Sequence, residues 1–128
     1  MESEKKVVLI VDDEPDFRVY LSTFLEDNGF LTVTAKDGDE ALAKVQRNRP
    51  DLITLDITMP EKSGVRFYRE IKEDKGLSDI PIIIVTGVTR DFKSFISTRH
   101  EVPPPEGYVT KPIDLDEVLK LVTELSSK

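Results

Sequence analysis

Three places along this chain put a charged side chain directly after a short apolar run. Asp12 and Asp13 follow Val7-Val8-Leu9-Ile10-Val11, Asp56 follows Leu52-Ile53-Thr54-Leu55, and Lys111 follows Tyr108-Val109-Thr110. A fourth run, Ile82 to Val85, leads into Thr86. Taken singly, each has a plain reading. Asp12 or Asp13 caps a helix, Asp56 caps the turn cut off by Pro60, and Thr86 ends a strand. If one fold brings these four strand ends to one rim, three acids, a hydroxyl and an amine converge. Crowded carboxylates raise one another's pKa values unless a cation is present. A hard divalent ion suits oxygen ligands, and Mg²⁺ takes one or two carboxylates while keeping waters and substrate oxygens. The set holds no His or Cys, which disfavours zinc. Beside such an ion Asp56 can be a nucleophile, because carboxylates form aspartyl phosphates. A transferred phosphoryl group needs in-line positioning and neutralised equatorial oxygens. Mg²⁺ would hold one oxygen and the Lys111 ammonium a second. The Thr86 hydroxyl and a backbone N–H of the turn after Asp56 would take the rest.

The elements that must position these groups alternate along the chain. Lys6 to Val11 is continuously aliphatic after its lysine, as in a strand covered on both faces. Pro15 suits the first turn of a helix. Phe17, Tyr20, Leu21, Phe24 and Leu25 then recur at helical spacing, and Asn28-Gly29 ends the helix. Leu31, Val33 and Ala35 alternate with Thr32 and Thr34, which predicts an edge strand. Asp37 and Glu40 form a capping-box pair for a second helix carrying Ala41, Leu42 and Val45. The strand before Asp56 is third. Pro60 to Ser63 reads as loop, and Gly64 to about Lys72 as helix, burying Val65, Phe67, Tyr68 and Ile71. Ile82 to Val85 is the fourth strand. Phe92, Phe95 and Ile96 suggest a short fourth helix, and Tyr108 to Thr110 a short fifth strand. Asp114 and Glu117 cap a last helix with Leu115, Val118, Leu119, Val122 and Leu125 on one face.

Five strand–helix alternations predict an α/β domain with a parallel sheet. Right-handed crossovers leave few topologies. Strands one, three and four are apolar throughout and should be central. The order 2-1-3-4-5 satisfies this. It matches the flavodoxin-like doubly wound arrangement, with helices on both faces, and is not the unique solution. In such sheets ligands bind outside the C-terminal ends of the strands, at the switch point between strands one and three.

The chain has 128 residues, the size of one domain, and a formal net charge of −7. That charge argues against nucleic acid and anionic membranes as partners. The absence of cysteine excludes disulfides, thiolate metal sites and Cys nucleophiles. No apolar run is long enough to span a bilayer, and the N-terminus does not read as a secretory signal. The expectation is a soluble, cytoplasmic, single-domain protein over residues 1–128.

Across essentially its whole length the chain resembles a response-regulator receiver domain of two-component signalling. The resemblance is carried by Asp12-Asp13, by Asp56-Ile57-Thr58-Met59-Pro60 with Gly64, by Thr86-Gly87, and by Tyr108 with Lys111-Pro112. It implies Mg²⁺-dependent phosphotransfer to Asp56 from a histidine kinase or histidine phosphotransfer protein. It implies metal binding by the Asp13 and Asp56 carboxylates and the Thr58 backbone carbonyl, with Asp12 holding a metal water. Lys111-Pro112 resembles the family's cis peptide. Thr86 and Tyr108 would form a switch that repacks the face of the fourth helix, fifth strand and fifth helix for a downstream protein partner. The domain would be no enzyme beyond catalysing its own phosphorylation and dephosphorylation. A phosphorylated signalling module is preferred over a non-phosphorylated pseudo-receiver, which need not keep Asp12, Asp13, Asp56, Thr86 and Lys111. An aspartyl-phosphate hydrolase ranks last, because Thr58 stands where those families need a second acid.

Thr58 and Val88 flank the path of an attacking water, and in relatives these positions tune dephosphorylation. Valine cannot orient water, so a long-lived phosphorylated state is expected. Residues 90–107, with Pro103-Pro104-Pro105, depart most from the family and read as a variable surface loop. His100, the single histidine, reads as solvated, and Phe17, Phe24 and Tyr68 as core.

Overall fold

The computed structural model describes residues 5–87 and 104–127. Five strands form one parallel sheet: β1 (Val7–Val11), β2 (Leu31–Ala35), β3 (Leu52–Leu55), β4 (Ile82–Thr86) and β5 (Gly107–Thr110). Their order is β2-β1-β3-β4-β5. Helices α1 (Pro15–Asp27), α2 (Gly38–Arg47) and α3 (Ser63–Glu73) follow the first three strands, and a last helix spans Leu115–Ser126. The fourth helix expected around Phe92, Phe95 and Ile96 lies outside the described residues, as do Val88 and His100.

The all-apolar central strands divide their side chains between two cores. Leu9, Val11, Ile53, Leu55, Ile82 and Ile84 pack with Ala41 and Val45 of α2 and Phe67, Tyr68 and Ile71 of α3. Val8, Ile10, Leu52, Ile83 and Val85 pack on the other face with Leu21 and Leu25 of α1 and Val118 and Val122 of the last helix. The two-residue period of a strand sends successive side chains to opposite faces, so both faces must be covered.

The helix ends show why the chain turns where it does. Pro15 opens α1. Its other end is a Schellman turn: Phe30 N–H donates to Leu25 O, Gly29 N–H to Glu26 O, and Gly29 takes φ +94°. Asp37 caps α2 by accepting from Glu40 N–H. The return bond differs from a capping box: the Glu40 carboxylate accepts from Lys36 N–H, one residue earlier. Asp114 accepts from the N–H groups of Asp116 and Glu117 at the start of the last helix.

Three expectations need correction. Tyr20 is not part of the buried face of α1 but is 50% exposed, because the buried stripe narrows to Leu21 and Leu25. On β2 the apolar positions Leu31 and Val33 are the more exposed ones, and Ala35 alone is buried. The cover over this edge strand reaches its C-terminal end and thins toward Leu31. Pro60–Lys62, read as loop, forms a short 3-10 turn that runs directly into α3 at Ser63.

Candidate functional site

Each group singled out in the sequence leaves the sheet at the same edge. Asp12 and Asp13 follow β1, Asp56 follows β3, Thr86 is the last residue of β4, and Lys111 follows β5. Backbone bonds tie these exits together. Asp12 N–H donates to Ala35 O, Asp56 N–H to Val11 O, and Lys111 N–H to Thr86 O. The parallel register therefore fixes the relative heights of the site residues before any side chain interacts.

The acids meet closely. One carboxylate oxygen each from Asp12, Asp13 and Asp56 lies within 4.8 Å of the others. Asp12 is 1% exposed and Asp56 4%, while Asp13 faces solvent. Lys111 Nζ donates to Asp12 Oδ2 at 2.8 Å and to Glu14 Oε1 at 3.1 Å, and stands 3.6 Å from Asp56 Oδ2. Asp56 Oδ1 accepts from Thr58 N–H at 2.8 Å and from the Thr58 hydroxyl at 2.6 Å. Asp12 Oδ1 accepts from Glu14 N–H at 2.9 Å, and Arg18 donates to the Asp12 carbonyl at 2.8 Å.

Burial pushes the Asp12 carboxyl above the usual carboxylate range, and the nearby Asp56 charge adds to it. The bond from Lys111 pulls the other way and does not fully compensate. Burial alone would lower the Lys111 ammonium, but the bond and charge of Asp12, the charge of Asp56 and the Glu14 contact raise it. Among the described residues, Lys111 is the cation that pairs with the carboxylates of this cluster, two of which are nearly dry, while Arg18 bonds only the Asp12 backbone carbonyl. The donor set is all oxygen and lacks the charge to balance itself, which fits a hard divalent ion such as Mg²⁺.

The close approach behind Asp56 depends on Gly64. A Cβ there would run into the Asp56 carbonyl oxygen and come within 2.9 Å of Ile57 Cα. Only glycine lets the first turn of α3 lie against the chain leaving β3.

Thr86 is fully buried at the end of β4. Tyr108 is half-buried on β5, against the core shared with α2 and α3, and burial raises its phenol. The Lys111–Pro112 peptide is cis. The Thr58 hydroxyl donates to the Asp56 carboxylate itself. Sequence reading missed Glu14 and Phe17, whose ring lies under the Lys111 ammonium. Pro15 at the first turn was the one available signal that Glu14 ends the β1–α1 connection. No helix among the described residues is long and apolar enough to cross a membrane.

The response regulator receiver domain family matches residues 8–123. The chain is 32% identical over 115 residues to Protein PilH of Pseudomonas aeruginosa, covering 90% of this chain and 93% of PilH. It is 32% identical over 115 residues to Protein Rrf1 of Nitratidesulfovibrio vulgaris, covering 90% and 78%. It spans only 32–45% of other matched relatives, named as transcriptional regulators. The chemotaxis response regulator CheY4 of Vibrio cholerae superposes with a TM-score of 0.80 at 29% identity, covering 95% of this chain and 99% of CheY4. Strand order, the acidic rim and a family match over nearly the whole chain agree, and the chain belongs to the response-regulator receiver domains.

Proposed function

We propose that this receiver accepts a phosphoryl group on Asp56 from a histidine kinase or a histidine phosphotransfer protein. The observation that carries the reading is the convergence of Asp12, Asp13 and Asp56 within 4.8 Å, with the Lys111 ammonium bonded to Asp12 and 3.6 Å from Asp56 Oδ2. An Asp56 carboxylate oxygen bonds to phosphorus as the donor nitrogen–phosphorus bond breaks, and the imidazole leaves with its electron pair. Thr58 orients the carboxylate through its two bonds to Oδ1. Lys111 supplies N–H donors to a phosphoryl oxygen, and the Thr86 hydroxyl and a backbone N–H of the turn after Asp56 take others. Asp13, Asp56 and the Thr58 carbonyl would hold Mg²⁺, with Asp12 on a metal water. That ion supplies neutralising charge to the transferred group.

The signal then passes through Thr86 and Tyr108. Thr86 moves toward the phosphoryl oxygen and Tyr108 turns into the space it leaves. The face of the fourth helix, fifth strand and fifth helix repacks and changes its affinity for a downstream protein. Residues 1–128 act as one receiver domain in the cytoplasm, catalysing only their own phosphorylation and dephosphorylation, without nucleic-acid or membrane contact through this domain. Thr58 and Val88 set the lifetime of the phosphorylated state.

The test is transfer of label from acetyl phosphate. Label should enter the protein with Mg²⁺ and be absent from Asp56→Asn. Failure of the wild type to take label, with its fold intact, would point instead to a non-phosphorylated interaction module.

A further inference from the structure

The Lys111 ammonium has a neighbour that is not an oxygen. Its Nζ stands 4.3 Å from the centroid of the Phe17 ring. Phe17 lies in the first turn of α1, half-buried, and packs against the core that α1 shares with the last helix. The Tyr20 ring supports it from outside, with centroids 6.4 Å apart and planes tilted by 50°. That contact accounts for an aromatic residue left on the exposed side of α1. The Phe17 ring is thus held on two sides and presents a face to the ammonium.

An ammonium carries three N–H donors. Asp12 Oδ2 and Glu14 Oε1 take two of them, at 2.8 and 3.1 Å. Asp56 Oδ2, at 3.6 Å, lies just beyond hydrogen-bond range. A ring face attracts a cation through its quadrupole and uses no lone pair. Phe17 therefore offsets part of the cost of desolvating Lys111 without taking a donor that an oxygen could use. Glu14 does the opposite: its side chain is 64% exposed, and it draws the ammonium toward solvent.

We propose that Phe17 is a positioning residue: its ring holds the Lys111 ammonium 3.6 Å from Asp56 Oδ2 and, taking no N–H itself, leaves the third one for a phosphoryl oxygen on Asp56. This rests on the reading of Asp56 as phosphoacceptor. Two consequences follow from the chemistry of the contact. A ring of the same shape with a weaker quadrupole must position Lys111 less well. A larger, more electron-rich ring must do at least as well as phenylalanine.

The experiment replaces Phe17 in the full chain by mono-, di- and trifluorophenylalanine, with Phe17→Leu and Phe17→Trp beside them. Three quantities are read: the rate of labelling by acetyl phosphate with Mg²⁺, the thermal midpoint, and the proton shift of the Lys111 ε-methylene without metal. Expected are an unchanged midpoint along the fluorinated series and a stepwise fall in labelling, reaching about three- to tenfold at trifluorophenylalanine. Phe17→Leu should lose the upfield ring-current shift on Lys111 and label as slowly, and Phe17→Trp should restore both. A labelling rate that stays flat across the fluorinated series in a folded protein would overturn the proposal alone, as would a Lys111 shift indifferent to Phe17→Leu. No labelling of the unsubstituted protein would overturn the Asp56 reading, and the proposal with it.

Discussion

Lys111 Nζ lies 2.8 Å from Asp12 Oδ2, a contact between an amine and a nearly dry carboxylate 99 residues apart in the chain. Asp56 Oδ2 is further from the same ammonium, at 3.6 Å. The lysine therefore serves first as counter-ion to the Asp12 carboxylate, while Arg18 bonds the Asp12 backbone carbonyl.

Lys111→Met should therefore separate two properties that usually fall together. Three acids left without their ammonium attract a divalent ion more strongly, so calorimetric titration should give a Mg²⁺ Kd lower by about three- to tenfold. The phosphoryl oxygen loses a donor at the same time, and labelling by acetyl phosphate should slow by about a hundredfold. Weaker Mg²⁺ binding in the variant would contradict the counter-ion role.

Gly64→Ala should strain the turn behind Asp56. Its Cβ meets the Asp56 carbonyl oxygen and Ile57 Cα, both backbone atoms that cannot rotate away. Overpacking of this kind costs about 1–3 kcal/mol, visible as a lower urea midpoint. Labelling should slow as well, because the α3 start and the Asp56 turn must move apart. Gly87→Ala, where a Cβ meets nothing within 4 Å among the described residues, serves as the control.

Lys72 and Glu106 form a second long-range pair, away from the acidic rim. Lys72 Nζ donates to both Glu106 oxygens at 2.9 and 2.8 Å, its side chain only 1% exposed. Glu106 Oε1 also accepts from Ile82 N–H, so this carboxylate links α3 to the starts of β4 and β5. Glu106→Ala strands a buried ammonium and a strand N–H. Lys72→Met leaves Glu106 bonded to Ile82 and partly in water. Chemical denaturation should show the Glu106 variant to be the less stable, by about 1–2 kcal/mol after allowance for the exposure of the glutamate. Equal losses would mean that the pair acts only as a pair.

Tyr68 gives a pH dependence with a definite sign. Burial, then the charge of Glu106, raises its phenol above the ordinary value of 10.0. The folded state keeps its proton where the unfolded chain has released it. Stability from this residue is complete below the unfolded value and is lost as pH rises from there toward the folded one. The slope reaches about 1.4 kcal/mol per pH unit for one proton. In Tyr68→Phe the decline above about pH 10 should be shallower, as followed by urea melts at stepped pH. An identical slope would place the phenol in solvent.

The layout of the fold was legible because its signals are local. Val8, Leu9, Ile10 and Val11 have no polar partner in sequence, so their strand had to be covered on both faces, and two separate cores receive them. Asn28-Gly29 ended α1 because glycine takes φ +94° there without a clash. The edge strand was legible in its position but not in its burial. Alternation says which residues share a face and not how far the neighbouring helix reaches, so Leu31 and Val33 emerged exposed. Tyr20 fits the apolar period of α1 and still sits outside it. Period counts residues on a face, whereas burial depends on the width of the surface that meets it.

The sequence by itself determined which groups could do chemistry and on which strands they stood, because residue type and hydrophobic period are properties of short windows. Only the tertiary structure decided who partners whom. That Lys111 bonds to Asp12 and Glu14 before Asp56, that Thr58 turns its hydroxyl onto Asp56, and that Phe17 lies under the ammonium are outcomes of packing. Side chains that could reach several partners are sorted by burial and by backbone register, and those exist only once the strands have been laid side by side.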